Sequence, residues 1–135
     1  MPRDRLLQLL LRCIGVVLCL AFPTILLPVE WMASTHAAIG LGPYPNSVIV
    51  EYLSRSIAAL YGLHGILLLI VSRAPARFRE IVTYLAFFNV TFGGLMLAID
   101  LKAGMPWFWT LLEGPPIAAM GVAIAALNRE TATQR

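Results

Sequence analysis

Four apolar blocks, each about as long as a membrane-spanning helix, constrain this chain more than any other feature. A helix needs roughly 20 apolar residues to cross the hydrocarbon core of a bilayer. Only 13% of the 135 residues are charged, which is about half the fraction of a soluble domain. The sequence therefore predicts an all-α, four-helix transmembrane bundle in which residues 1–135 form a single integral membrane domain. The blocks cover about 6–27, 48–71, 81–101 and 107–127.

The basic residues predict how these spans are oriented. Cytoplasmic segments of membrane proteins carry the excess of Lys and Arg. Here the N-terminus, the loop between spans two and three, and the C-terminal tail carry all the basic residues except Arg55 and Lys102. Both termini are therefore predicted to lie in the cytoplasm of a bacterial-type inner membrane. The residues on the predicted cytoplasmic side are Arg3, Arg5, Arg12, Arg73, Arg77, Arg79, Arg129 and Arg135.

The outer side is predicted to carry the longer loop, over residues 28–47. Its first part, around Trp31, has the composition of a short interfacial helix, and the stretch from Gly40 to Asn46 is rich in turn-forming residues. The first apolar block is too long for the core of a signal peptide and is followed by no small-residue cleavage site. We interpret it as a retained span.

Charged side chains within the spans are the main indication of a functional site. Ionisable groups at membrane depth are costly, so they usually face a partner or the interior of a bundle. Counting outward from the turn near Ala76 predicts that Arg55 and Asp100 lie at similar depth, as do His64 and Asn89. The predicted polar pocket in the outer half of the bundle consists of Glu51, Arg55, Asp100, Glu113, Asn89 and His64.

The fourth span contains a proline pair that predicts a broken helix. Glu113 and Gly114 precede Pro115 and Pro116, which cannot donate backbone hydrogen bonds and which restrict the residue before them. The residues after Pro115 are too few to cross the membrane alone, so the segment from Trp107 is predicted to supply an upper piece. Helix breaks at membrane depth are typical of binding or ion sites.

Each of these residues also has a structural interpretation. Glu51 and Arg55 are spaced as an ion pair on one helix, Asp100 falls near the end of a span, and Glu113 is placed to cap the helix that begins at the prolines. His64 suits a packed core position. Glu30 and His36 have no third ligand at a clear spacing, so no metal site is predicted.

The overall plan resembles a known group of membrane proteins. Its pattern is similar to that of small four-span bacterial inner-membrane proteins, the DoxX-like proteins in architecture. The resemblance implies a four-span fold and carries no functional residue or activity over to this chain. Separately from that architecture, a set of residues resembles a family signature of bacterial proteins, to which no activity is attached: Glu51, Arg55, Tyr61, Gly62, His64, Gly65, Asp100, Gly104, Pro106, Trp109, Glu113, Gly114 and Pro115.

Three functions remain open from the sequence. We favour a non-enzymatic membrane protein that binds membrane lipids, a quinone or another apolar ligand. Its partner could instead be another membrane protein or a second copy of the same chain. The first alternative is an enzyme acting on a lipid or quinone through Asp100 or Glu113. The second is proton or ion transfer through His64, Asn89 and the outer acids. No standard catalytic motif, cofactor motif or nucleic-acid-binding pattern occurs in the sequence.

Overall fold

The computed structural model describes residues 3–133, with the side chains of residues 3–129. All regular secondary structure in this range is helical, which confirms the predicted all-α class. Arg135, used above for orientation, lies outside the described residues. The elements are α1 (Arg3–Cys19), a 3₁₀ helix (Phe22–Ile25), α2 (Val29–Ala38), α3 (Val48–Val71), α4 (Arg79–Ala103), α5 (Trp107–Leu112) and α6 (Gly114–Thr133).

Four stretches of the described chain are long and apolar enough to cross a membrane, so this is a multi-pass membrane protein. They overlap the four predicted spans, and the second has the predicted bounds. The third is longer by two residues at each end, because the helix continues through charged residues that the hydropathy pattern had excluded. The stretches are Arg3–Ile25, Val48–Val71, Arg79–Ala103 and Trp107–Arg129.

The chain forms two compact units. The first unit is residues 12–70, and the second is residues 3–11 together with residues 71–133. That the whole chain acts as a single integral membrane domain stays a prediction.

In the first unit, glycines of α3 allow α1 and the 3₁₀ helix to approach closely. A Cβ added at Gly65 would lie 2.7 Å from the carbonyl oxygen of Gly15, and one at Gly62 would lie 2.6 Å from the ring of Phe22. The thiol of Cys19 contacts the carbonyl of Gly62 at 3.7 Å. Small residues are the usual means of close helix packing in lipid. Here they let α1 and the 3₁₀ helix pack directly against α3.

The outer loop belongs to the same unit and is held by polar contacts. The predicted short helix around Trp31 is confirmed as α2, and Gly42 after it has a φ of 82°, which only glycine adopts readily. The imidazole Nδ1 of His36 donates to the carbonyl of Gly42 at 2.9 Å. The hydroxyls of Tyr44 and Ser54 are 3.2 Å apart, which ties the end of the loop to α3.

In the second unit, α4 packs closely along α6. A Cβ added at Gly93 would lie 2.5 Å from the backbone nitrogen of Ala118, and one at Gly121 would lie 2.7 Å from the carbonyl oxygen of Ala86. Near the opposite end of α6, Asn128 donates to the hydroxyl of Thr83 at 2.9 Å. This close contact fixes the position of α6 along α4, and with it the position of the helix break.

The predicted break in the fourth span is confirmed. α5 ends at Leu112, Glu113 has φ −98° and ψ −78°, and α6 begins at Gly114. Pro115 and Pro116 then occupy the first turn of α6, where a missing N–H costs little. Because neither proline can donate, the carbonyls one turn earlier lose their helical partners and the two pieces separate at Glu113.

Candidate functional site

Arg55 is the centre of one group of polar contacts, in the first unit. Its guanidinium Nε and one Nη donate to the Glu51 carboxylate at 3.0 and 2.8 Å. The guanidinium also donates to the carbonyls of Ile25 and, at 3.1 Å, of Leu27. These carbonyls lie at and just beyond the end of the 3₁₀ helix, where backbone acceptors lack helical partners. We call Arg55, Glu51 and these two carbonyls the arginine cluster.

The arginine cluster satisfies its own charge. Arg55 directs four hydrogen bonds at groups of this chain, and two of them are to the negatively charged carboxylate of Glu51. Its side chain is 26% exposed and that of Glu51 is 40% exposed, so the ion pair is partly screened by its surroundings. The cluster therefore ties the segment after the 3₁₀ helix to α3, which supports the structural interpretation of Glu51 and Arg55.

Unlike Arg55, Asp100 has a charged group that is incompletely hydrogen-bonded within the described residues. It lies one turn before the end of α4. The residue is only 3% exposed, and its burial argues against the interpretation that it marks a water-exposed helix end. Its backbone carbonyl accepts from Met105 at 3.0 Å in the turn that closes the helix at Gly104. Within the part of the chain that the structure describes, the carboxyl oxygen Oδ2 of Asp100 is buried and has no hydrogen-bond partner.

Glu113, at the helix break, has one polar partner. Its carboxyl Oε2 accepts a hydrogen bond from the indole Nε1 of Trp109 at 2.5 Å. Trp109 lies one turn earlier on α5, so the two side chains share a face. The tryptophan thus holds the carboxyl of Glu113, a half-buried residue directly after the end of α5.

Helix packing brings Asp100 and Glu113 near each other. A Cβ added at Gly114 would lie 2.7 Å from the carbonyl oxygen of Gly93 and 2.8 Å from the nitrogen of Leu97. Glu113 directly precedes Gly114, and Asp100 lies one turn beyond Leu97 on the same face of α4. The packing therefore places the two carboxyls in the same region of the second unit. We call Asp100 and Glu113 the carboxyl pair.

The carboxyl pair has no basic partner among the described residues. Arg55 forms an ion pair with Glu51, whereas within the described range no Lys or Arg side chain forms one with Asp100 or Glu113. Two negative charges in a low-dielectric region raise each other's energy unless a cation or hydrogen-bond donor compensates them. The pair is thus an acceptor site whose acceptors are incompletely used.

The other two predicted site residues, Asn89 and His64, are uncharged side chains with different surroundings. Asn89 is buried in α4, and its side-chain amide donates to the carbonyl of Leu85 at 2.7 Å. That bond lies within its own helix, and a role of Asn89 in the site stays a prediction. His64 is half-buried in α3 of the first unit. The predicted pairing of His64 with Asn89, and the predicted meeting of all four charged residues, stay predictions.

Two pairs of predicted site residues, one within each unit, differ in their chemistry. Glu51 contacts Arg55 inside the first unit, and Asp100 lies near Glu113 inside the second. No three His, Cys, Asp or Glu side chains of the described residues come together as a metal site. The backbone acceptors of Arg55 and the role of Trp109 were missed from the sequence. The Trp109–Glu113 spacing of one helical turn was readable, whereas the carbonyls of Ile25 and Leu27 left no signal in side-chain chemistry.

Comparison with known proteins adds no assignment. No protein-family model, curated protein or solved structure matches this chain. The DoxX-like resemblance stays a prediction. The function is inferred below from the chemistry of the carboxyl pair.

Proposed function

We propose that this chain is a four-span protein of a bacterial-type cytoplasmic membrane that binds a lipid-soluble small molecule at the carboxyl pair. The observation that carries the proposal is the buried carboxyl of Asp100, whose Oδ2 has no partner within the described residues. A charged group placed in a membrane-spanning segment costs several kcal/mol and is typical of a functional site. A bound molecule that donates to Asp100 would recover that free energy.

The distribution of basic residues supports the orientation that we propose. With both termini in the cytoplasm, as the excess of Lys and Arg favours, the carboxyl pair lies in the outer half of the membrane. Asp100 is three residues from the end of α4 at Ala103, and Glu113 is six residues from the start of α5 at Trp107. The pair is therefore within about 10 Å of the outer ends of these helices.

The arginine cluster is proposed to have a structural role in this function. An arginine that recognised an external anion would need free N–H groups pointing towards it. Arg55 instead directs four hydrogen bonds at Glu51, Ile25 and Leu27. Its contribution is to hold the outer loop against α3, while ligand binding is assigned to the carboxyl pair.

Native mass spectrometry of the protein, gently extracted from its own membrane, tests the proposal. We expect a reproducible small added mass on the wild-type chain. That mass should be lost in Asp100→Asn and in Glu113→Gln, because each removes a charged acceptor from the site. It should be retained in the matched control Glu30→Gln, which removes an exposed acid of α2.

Two other results would contradict the proposal. A bare chain would show that the carboxyl pair has no resident small-molecule ligand. A chain that carries only another polypeptide, or a second copy of itself, would show that the protein works as a membrane subunit.

Two alternatives use the same carboxyls and are favoured by the helix break. Carboxyls at a broken helix are suited to ion or proton transfer, and a buried carboxyl near a bound lipid or quinone is suited to acid–base catalysis. A pH-driven flux into proteoliposomes that is abolished by Glu113→Gln would support transfer. Chemical change of the bound molecule during incubation with wild-type protein, but not with Glu113→Gln, would support an enzyme.

A further inference from the structure

We infer that the ligand of the carboxyl pair is a membrane amphiphile whose polar head is an ammonium group that carries N–H donors. This inference rests on the proposed function and names the chemical class of its ligand. It depends on three properties of the site: its charge, its unused hydrogen-bond acceptors and the apolar side chains around it.

The charge of the site favours a cation. The packing of Gly114 against α4 brings Glu113 near Asp100, and no basic side chain of the described residues forms an ion pair with either. An anionic head group would add a third negative charge in a region of low dielectric constant. A cationic head group would instead offset the repulsion between the two carboxylates.

The acceptors of the site require a ligand that donates hydrogen bonds. Oδ2 of Asp100 is buried and has no donor within the described residues. Of the Glu113 carboxyl, Oε2 already accepts from Trp109. A buried carboxylate oxygen that lacks a donor is costly, and a cation without N–H groups would leave it so. An ammonium head with N–H donors supplies both the positive charge and the missing hydrogen bond, whereas a quaternary ammonium supplies only the charge.

The surroundings of the site favour a ligand that arrives from the lipid. The side chains next to the pair along the chain are large, apolar and exposed: Leu101 is 69% exposed and Leu112 is 73% exposed. Leu111 is also exposed. All of them belong to segments that can span the membrane, so they provide an apolar surface for a hydrocarbon chain beside the polar head.

A series of probes that share one hydrocarbon chain tests this inference. The protein is placed in nanodiscs of phosphatidylcholine, whose head group lacks N–H donors. A double variant that carries Trp31→Phe and Trp107→Phe retains Trp109 as its one tryptophan. Trp109 donates to Glu113, so its fluorescence reports on the site. We expect saturable spectral shifts with hexadecylamine at low mole fraction, and none with hexadecyltrimethylammonium or hexadecanol.

Variants then locate the effect. Asp100→Asn should weaken binding of hexadecylamine about ten-fold or more, because it removes a charge-assisted hydrogen bond. The control Glu30→Gln should bind as the parent chain does. Replacement of the nanodisc lipid by phosphatidylethanolamine distinguishes two sources of the amine. A shift in Trp109 fluorescence without added probe means that the lipid head group is the ligand. An unchanged spectrum means that the ligand is a free amphiphilic amine.

Each contrary outcome bears on a different statement. Equal shifts with hexadecylamine and hexadecyltrimethylammonium would overturn the requirement for N–H donors. Binding of hexadecanol alone would overturn the requirement for an ammonium group while leaving the proposed function intact. The same conclusion would follow if no probe bound to a protein that carries an added mass from its own membrane. No probe binding together with no added mass would overturn both.

Discussion

The arginine cluster and the carboxyl pair both consist of ionisable side chains in membrane-spanning helices, yet they differ in how far their charges are satisfied. Arg55 is bonded to Glu51 and to two backbone carbonyls. Asp100 is more deeply buried and has a carboxyl oxygen without a hydrogen-bond partner in the described chain. The difference indicates that charge in a membrane helix is by itself a poor guide to function. What distinguishes a binding site is charge that the folded chain leaves uncompensated.

The strongest test of this contrast is removal of the arginine side chain. Arg55→Leu leaves Glu51 and the carbonyls of Ile25 and Leu27 without their donor. We expect a loss of about 2–3 kcal/mol in the free energy of unfolding, read as a lower melting temperature in detergent. Arg73→Leu, at an exposed position in the loop after α3, is the control and should melt as the wild type does. An unchanged melting temperature for Arg55→Leu would show that the cluster is not structural.

The carboxyl pair should respond in the opposite direction. Asp100→Leu removes a buried acceptor that the chain does not satisfy, so the ligand-free protein should gain about 1–2 kcal/mol of stability. Thermal denaturation after ligand removal measures this gain, and native mass spectrometry of the same variant should show that ligand binding is lost. A clear destabilisation by Asp100→Leu would falsify the conclusion that the folded chain leaves the charge of Asp100 uncompensated.

Trp109→Phe sharpens the comparison within the carboxyl pair. It removes the N–H that donates to Glu113 and keeps an aromatic ring on α5. We expect a loss of about 1 kcal/mol in the unfolding free energy, together with weaker ligand binding. Trp107→Phe is matched in chemistry but lies at a position that is 76% exposed, and it should change neither quantity. Equal effects of the two substitutions would mean that the hydrogen bond does not hold Glu113.

The smallest effect is expected for Glu51→Gln. The amide oxygen of glutamine still accepts from Arg55, and the glutamate side chain is 40% exposed, so the charge contributes little. We expect a loss of about 0.5 kcal/mol and unchanged ligand binding, both measured beside Glu30→Gln as the control. If Glu51→Gln instead removed the bound mass, Glu51 would belong to the binding site.

Most of the fold was predictable because it depends on apolar length and on proline chemistry. The four spans follow from the run lengths of apolar residues, and the break at Glu113 follows from Pro115 and Pro116. The short helix α2 was also predictable from the composition around Trp31. These features are local, so a single sequence is enough to indicate them.

The hydrogen-bond partners of Arg55 were only partly predictable. Its spacing from Glu51 indicated an ion pair, whereas its other acceptors are backbone carbonyls near Ile25, about thirty positions earlier. Backbone acceptors of this kind have no sequence signature, because every residue has a carbonyl. The burial of Asp100 depends on how α5 and α6 pack against α4, which helical periodicity alone does not determine.

The close contact between α4 and α6 also limits how this protein can vary during evolution. At Gly93, Gly114 and Gly121 any replacement adds at least a Cβ, which would lie 2.5–2.7 Å from neighbouring backbone atoms. No conservative replacement exists at such positions. Gly94, adjacent in sequence, has nothing within 4 Å of its added Cβ and is free to change. A scan of all single substitutions should therefore show intolerant glycines beside tolerant ones, a pattern that records which face of α4 meets α6.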